Sequence, residues 1–81
     1  MATRTRTQRD PKRDDLRRLG ERIREQRRTK GMTQENLAQA LDLSVAYVSL
    51  IERGGRNPPY TTVLQIARAL GITPGRIVTE D

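Results

Sequence analysis

The segment from Thr33 to Gly54, TQENLAQALDLSVAYVSLIERG, constrains the fold of this chain more than any other segment. Apolar residues recur at helical spacing on one side of each of two short runs, namely Leu37, Ala38 and Leu41 in the first run and Val48 and Ile51 in the second. Only Asp42 and Leu43 lie between the first run and the cap of the second. The spacing therefore predicts two short helices that cross steeply and share one small core, a helix-turn-helix.

The starts of both helices are encoded by neighbouring residues. Thr33 and Ser44 each precede a helical run, where a hydroxyl oxygen can accept a hydrogen bond from a free N–H group of the first turn. The position of Asp42 is expected to need a left-handed backbone, which glycine adopts freely and aspartate adopts at some energetic cost. Leu43 is expected to fill the corner between the helices. Ala38 is small where a larger side chain would push them apart.

The sequences TQENLA and YVSLIERG, in this order, resemble the helix-turn-helix family of phage repressors, Cro proteins and the controller proteins of restriction-modification systems. The resemblance extends from about Leu16 to Val78, through RIREQRRTKGMTQ before the motif and ERGGRNPPYTTVLQIARALGITPGRIV after it. It implies an all-α fold, the five-helix lambda-repressor-like DNA-binding domain. Three residues depart from the family pattern: Gln26 replaces an apolar residue, Asp42 a glycine, and Pro59 a serine or threonine that would cap the fourth helix.

A first helix is predicted before the motif. It begins with Asp14 or Asp15 as the N-terminal cap and ends near Lys30, with Gly31 as a left-handed C-terminal cap. Its apolar side consists of Leu16, Leu19 and Ile23. Gly20 is expected to weaken this helix slightly.

Two more helices are predicted after the motif. The sequence GGRNPP combines glycines and prolines that forbid a helix, so the fourth helix begins near Pro59 to Thr61 and ends at Gly71. Its buried stripe is Val63, Ile66, Ala67 and Leu70. Thr73 and Pro74 then supply a cap and a first-turn proline for a short fifth helix. No stretch alternates apolar and polar residues as a strand does, so no strand is expected.

The leading segment carries the positive charge of the chain. Of a net charge of +6, residues 1–30 contribute 12 basic and 5 acidic residues, whereas residues 31–81 contain 4 basic and 5 acidic residues. The first residues have too few apolar side chains to order themselves, which predicts a flexible basic arm of residues 1–13 before a DNA-binding domain of residues 14–81. This charge either attracts phosphate, which the neighbouring motif favours, or only keeps the tail solvated. In the first case, the arm's phosphate contacts come from Arg4, Arg6 and Arg9.

Composition argues against several classes of function. The chain has no cysteine and no histidine, and its carboxylates are scattered over charged helix faces, so we expect no enzyme activity, no metal and no cofactor. No apolar run approaches the ~20 residues of a membrane span, and the N-terminus lacks the apolar part of a signal peptide, which predicts a cytoplasmic protein. With no Phe or Trp and two Tyr, few side chains could stack on single-stranded RNA.

The second helix of the motif presents the residues that we expect to contact DNA. Since Val48 and Ile51 point inward, the outer and N-terminal surface consists of Ser44, Val45, Ala46, Ser49, Leu50 and Arg53. A recognition helix presents this side to the major groove. The small apolar side chains of Val45 and Ala46 suit the thymine methyl group, with Ser49 and an arginine as further contacts. Alternatively, Val45 or Ala46 only fills a helix position.

Residues near the recognition helix are expected to contact the DNA backbone. Thr33 and Gln34 open the first helix of the motif, where free N–H groups and the helix dipole attract a phosphate; the resemblance gives Gln34 this role, and a solvated side chain is the alternative. Tyr47 is expected to pack its ring at the edge of the core while its hydroxyl reaches the backbone. Arg56 and Asn57 match the R-N-P sequence that lies beside DNA in controller proteins. Arg56 would pair with a guanine or a phosphate, although a lone loop arginine is more often solvated.

The resemblance also implies a structural ion pair in which Arg27, at the end of the first helix, pairs with Glu52 of the ERG sequence. The other basic residues of the first helix surround much of its exposed surface. Most of them are expected to be solvated, and some to lie near phosphates: Arg17, Arg18, Arg22, Arg24, Arg28 and Lys30.

These features predict a small dimeric repressor or controller that binds double-stranded DNA at an inverted repeat and regulates transcription. The dimer would join the ends of the fourth and fifth helices and hold two recognition helices one DNA turn, ~34 Å, apart. Its interface would contain Ile72, Ile77 and Val78, unless these residues belong to the core. The alternative function is an adaptor that binds a protein partner, such as an antitoxin or a coactivator, because small uncharged outer residues also suit a protein surface.

Overall fold

The computed structural model describes residues 11–78, which form five α-helices. In chain order these are α1 (Pro11–Thr29), α2 (Gln34–Leu41), α3 (Val45–Glu52), α4 (Tyr60–Leu70) and α5 (Gly75–Val78). The described range contains no strand, and the predicted all-α, five-helix fold is confirmed. None of these helices is both long and apolar enough to cross a membrane. The predicted arm contacts lie outside the described residues: Arg4, Arg6 and Arg9.

Helix α1 begins earlier than the sequence predicted. It starts at Pro11, so the expectation that Asp14 or Asp15 caps its N-terminus is wrong. Proline is tolerated in the first turn because the N–H group that it lacks would have no helical partner there. Asp14 lies within this first turn, where a negative charge favours the positive end of the helix dipole. The helix therefore includes residues 11–13, which were assigned to the arm.

One apolar core lies between the helices. Helix α1 packs against α3, α4 and α5, and α2 packs against α3 and α4. The buried apolar residues are Ile23, Leu37, Ala38, Val48, Ile51, Val63, Ile66, Ala67, Leu70 and Ile77. The predicted stripe of α4 is confirmed in full. Ile77, which was proposed for a dimer interface, has no exposed surface and is a core residue instead.

Gly20 permits a close contact between α1 and α3. It is buried, and a methyl group added there would overlap the backbone carbonyl oxygens of Ile51 and Glu52. The sequence predicted only that Gly20 weakens α1 slightly. It did not predict this contact, because Ile51 and Glu52 lie more than 30 residues from Gly20 in the sequence. Gly20 thus determines how closely the end of α3 approaches α1.

The bounds of α4 agree with the sequence prediction, whereas α5 begins at Gly75, so Pro74 precedes the helix and does not lie in its first turn as predicted. Pro59 precedes α4 and makes no side-chain capping hydrogen bond, and Gly71 ends the helix in the left-handed conformation with φ 69°. In α5, the carbonyl of Pro74 accepts hydrogen bonds from the N–H groups of Ile77 and Val78, at 2.9 and 3.1 Å. The short helix places Ile77 in the core and leaves Val78 half exposed.

Candidate nucleic-acid interface

The N-terminus of α2 is fixed by a reciprocal pair of hydrogen bonds. The hydroxyl oxygen of Thr33 accepts a hydrogen bond from the backbone N–H of Asn36 at 2.9 Å, and the backbone N–H of Thr33 donates to the side-chain oxygen of Asn36 at 3.0 Å. The predicted cap at Thr33 is confirmed, and Asn36 takes the place of the glutamate or glutamine usual in such a capping box. These two hydrogen bonds fix the residue at which α2 begins.

The corner between α2 and α3 has the predicted left-handed residue. Asp42 adopts φ 59° and ψ 43°, and it is the only non-glycine residue with positive φ in the described range. The N–H of Leu43 donates to the carbonyl of Ala38 at 2.9 Å, and the side chain of Leu43 packs against the core. Ser44 then caps α3 by accepting a hydrogen bond from the N–H of Tyr47 at 3.1 Å. Local interactions thus fix the crossing of the two helices.

Helix α3 has one buried side and one accessible side. Val48, Ile51 and Glu52 are buried, as the apolar spacing predicted for the first two. The predicted contact residues are all at least partly accessible: Ser44, Val45, Ala46 and Arg53 are exposed, whereas Ser49 and Leu50 are half-buried. Val45, the first residue of α3, exposes 38% of its surface.

The loop after α3 folds back onto that helix. The guanidinium of Arg56 lies over the ring of Tyr47, 5.5 Å from the ring centre, at a distance that permits a cation–π interaction. The ring itself packs against the core at its edge, as predicted. Arg56 is therefore held beside the first half of α3, while Asn57 remains exposed. No pattern in the sequence indicates this stacking.

A buried ion pair joins α1 to α3. The Nε of Arg27 donates to one carboxylate oxygen of Glu52 at 2.7 Å, and Nη2 donates to the other at 3.1 Å. This is the pair that the family resemblance implied. The Nη1 of Arg27 also donates to the backbone carbonyl of Met32 at 2.7 Å, which ties down the turn between α1 and α2.

Gln34 is not simply solvated. Its side-chain Nε2 donates to the same oxygen of Glu52 that accepts from Arg27 Nη2, at 3.0 Å. The second hydrogen of this amide group is left to point elsewhere. Because Gln34 and Glu52 are far apart in the sequence, this contact had no signal in the sequence pattern. It fixes the orientation of the amide at the start of α2.

Basic residues of α1 lie beside the N-terminus of α2 and the first turn of α3. Arg24 and Arg28 are exposed, and both line a shallow depression that reaches Val45. The other residues of this depression are Arg27, Met32, Thr33, Gln34 and Glu35. Arg27 is paired with Glu52, so the two exposed arginines, together with Glu35, leave the depression a small positive balance that suits an anion.

The two remaining residues proposed for a dimer interface differ in exposure. Ile72 is partly buried and packs against the core, whereas Val78 exposes half of its surface. Val78 also lines a groove of about 300 Å³ between α1 and α5. Leu16 and Leu19 contribute apolar surface to the same groove.

Comparisons with known proteins identify the type of domain. A model of the helix-turn-helix family, HTH_3, matches residues 23–77, from within α1 to within α5. An uncharacterized HTH-type transcriptional regulator of Sinorhizobium fredii, y4dJ, is 41% identical over 66 residues, which span 80% of this chain and 86% of that protein. The control protein C.BamHI of Bacillus amyloliquefaciens is 43% identical over 57 residues, or 69% of this chain and 70% of that protein.

A solved structure has the same arrangement of helices. The restriction-modification controller protein C.AhdI from Aeromonas hydrophila matches with a TM-score of 0.77 at 42% sequence identity. The match covers 79% of this chain and 97% of that chain. The match therefore extends to nearly the whole of that chain.

Proposed function

Because this chain belongs to the helix-turn-helix family HTH_3, we propose that it is a DNA-binding transcriptional regulator whose helix α3 enters the major groove. The observation that carries the proposal is the two-sided character of α3. Its inner side is fixed in the core, while its first turn exposes Ser44, Val45 and Ala46. A rigid helix with a small, accessible first turn can approach the edges of base pairs closely.

The exposed first turn of α3 supports recognition of thymine. Val45 and Ala46 offer methyl groups, which suit the thymine methyl in the major groove and form no hydrogen bonds with other bases. Ser49 and Arg53, farther along the same helix, supply a hydroxyl and a guanidinium. We assign the apolar contacts to thymine and the polar contacts to neighbouring bases or phosphates.

Phosphate binding is supported at the start of α2. The hydrogen bond from Gln34 to Glu52 orients one amide hydrogen inward and leaves the other as a donor. The free N–H groups of the first helical turn and the helix dipole favour an anion at the same end. Arg24 and Arg28 add positive charge beside it. Together these groups would bind one phosphate next to the groove that α3 enters.

We further propose that the regulator binds as a dimer to an inverted repeat. A second copy of the chain would cover the half-exposed Val78 and the neighbouring apolar surface of Leu16 and Leu19. A two-fold axis at this edge would present two α3 helices to successive major grooves, one DNA turn or ~34 Å apart.

Selection of binding sites from random duplex DNA tests this proposal. We expect an inverted repeat with thymines at the positions that Val45 and Ala46 contact. Val45→Ser should relax the preference at one position of each half-site, whereas the matched control Ala40→Ser, on exposed surface of α2, should leave the selected sequence unchanged. A site that depends on guanines at those positions would refute the assignment.

A protein adaptor is the second candidate function, since exposed Val45 and half-buried Leu50 would also suit a protein surface. A gel shift on the DNA upstream of the chain's own reading frame separates the two functions. Salt-sensitive binding of that duplex supports the regulator. No binding to this duplex and no enrichment in the selection would favour the adaptor.

A further inference from the structure

Helix α1 extends well beyond the part of the chain that matches the family. The match begins at residue 23, whereas α1 begins at Pro11, so about three turns of α1 precede it. These turns are basic and exposed at Lys12 and Arg13. Lys12 and Arg13 therefore lie outside the residues that the family model matches.

The first turns of α1 form one wall of a notch, and the loop after α3 forms the other. The notch is open to solvent and has a volume of about 460 Å³. Its lining residues are Lys12, Arg13 and Leu16 on the α1 side and Gly54, Gly55, Arg56 and Asn57 on the loop side. Three of the seven are cations and none is acidic.

Backbone contacts fix the separation of the two walls. Gly54 has φ 80° and lies so close to Arg17 that an added methyl group would approach the Cα of Arg17 to 2.9 Å. The N–H of Gly55 donates to the carbonyl of Leu50 at 2.8 Å, which secures the loop to the end of α3. These contacts hold the loop against α1 one turn after Arg13.

Arg56 connects this notch to the surface of α3. Its guanidinium lies over Tyr47 in the first half of α3 while the residue also lines the notch. The notch and the outer side of α3 are therefore neighbours, and both could contact one DNA duplex. Arginine and lysine side chains together with the amide of Asn57 are donors suited to the oxygens of a phosphodiester.

We propose that this notch binds a DNA backbone phosphate beside the base pairs that α3 contacts, with Arg13 on one side and Arg56 on the other. The inference rests on the proposed function, because it requires that α3 enter the groove. It adds to that function a contact outside the family's matched region, and it predicts that Arg13 strengthens binding to all duplex sequences equally.

The test compares Arg13→Gln with the matched control Arg68→Gln. Both residues are exposed helical arginines, and each change removes one positive charge, but Arg68 lies on α4 away from the notch. The affinity of each variant for the selected operator and for a random duplex is measured by fluorescence anisotropy between about 50 and 200 mM salt. For Arg13→Gln we expect the log–log salt slope to flatten by about 0.9 per bound protomer, with equal weakening for both duplexes. Arg13→Lys should restore most of the slope.

Equal slopes for Arg13→Gln and Arg68→Gln would overturn the notch assignment and mean that Arg13 is only part of a solvated surface. Ethylation interference gives an independent measurement. With the wild-type protein, ethylation of one phosphate beside the half-site should weaken binding, and this effect should be smaller with Arg13→Gln, which leaves only the contact from Arg56. If interference is absent with the wild type, the notch holds no phosphate. If the wild-type protein selects no duplex at all, the proposed function itself fails, which is a different result.

Discussion

Glu52 accepts hydrogen bonds from the side chains of two other helices, and the packing of the motif depends on it. Its carboxylate belongs to a residue that is 5% exposed, and it accepts two hydrogen bonds from Arg27 and one from Gln34. A buried carboxylate is tolerated only with opposite charge and several donors, and both conditions are met here. Because Gln34 begins α2, the same residue that holds α1 against α3 also orients a group in the proposed phosphate site.

Replacement of Glu52 by alanine should therefore act mainly on stability. Glu52→Ala leaves the guanidinium of Arg27 buried without its counter-charge, and we expect the free energy of unfolding to fall by about 3–5 kcal/mol, measured by urea denaturation. DNA binding should be abolished because the domain unfolds. Gln34→Ala is the control: it removes one hydrogen bond, about 1 kcal/mol, and should weaken DNA binding in a folded domain. Full thermal stability of Glu52→Ala without DNA binding would contradict this account.

The features that were predicted correctly from sequence are formed by residues close together in the chain. The caps at Thr33 and Ser44 and the left-handed turn at Asp42 depend on groups within four residues, so the local sequence pattern was sufficient to predict them. The contacts that it missed join distant residues. Neither the hydrogen bond from Gln34 to Glu52 nor the stacking of Arg56 on Tyr47 has a sequence signature, because each depends on how whole helices pack.

At the scale of elements, the contact of α1 with α3 controls the position of the recognition surface. Two glycines permit it: Gly20 accommodates the carbonyls at the end of α3, and Gly54 accommodates the backbone of Arg17. The apolar stripe of α1 predicted which side of the helix is buried. It could not predict how close the approach is, because a glycine inside a helix appears in sequence only as a residue of low helix propensity.

Gly20→Ala tests this contact. The methyl group would overlap two backbone carbonyls, which cannot rotate away as side chains do. We expect a net loss of about 2 kcal/mol or more of stability, even though alanine gains about 1 kcal/mol in helix propensity. Gly31→Ala is the control, since its φ of 74° makes alanine unfavourable by about 1–2 kcal/mol but no atom lies within 4 Å of an added methyl. The stability of both variants is measured by thermal denaturation. If Gly20→Ala is as stable as the wild type or more stable, α1 and α3 can move apart without loss of stability.

At the scale of the whole molecule, attraction to DNA and recognition of bases are assigned to different parts of the chain. Residues 1–30 carry 12 basic against 5 acidic residues, whereas the segment that contains the motif is close to neutral. A basic segment binds DNA by releasing counterions and does not distinguish sequences. The proposed base contacts come from a helix that contains no basic residue of its own, and Arg53 is its C-terminal cap. Affinity and specificity should therefore be separable by mutation.

Deletion of residues 1–10 measures the contribution of the arm and leaves α1 whole, since that helix begins at Pro11. Arg4, Arg6 and Arg9 are removed together. If they bind phosphates, the log–log salt slope should flatten by about 0.9 for each phosphate that these arginines neutralise, while the ratio of operator to random-duplex affinity stays constant. An unchanged slope would mean that the arm does not contribute to binding, and a changed ratio would mean that it reads sequence.

Association of two chains through Val78 is a property of the whole molecule that can be tested directly. Val78→Glu places a carboxylate on half-exposed surface, so the fold should keep its thermal stability. At a two-fold interface the substitution would replace an apolar contact by two like charges close together, which disfavours association. We expect the wild type to sediment as a dimer at high micromolar concentration, and Val78→Glu as a monomer with weakened binding to an inverted repeat but nearly unchanged binding to a single half-site. The control is Gln65→Glu, which adds the same charge at an exposed residue of α4. This variant should remain dimeric. A wild-type monomer at that concentration, with or without DNA, would rule out this interface.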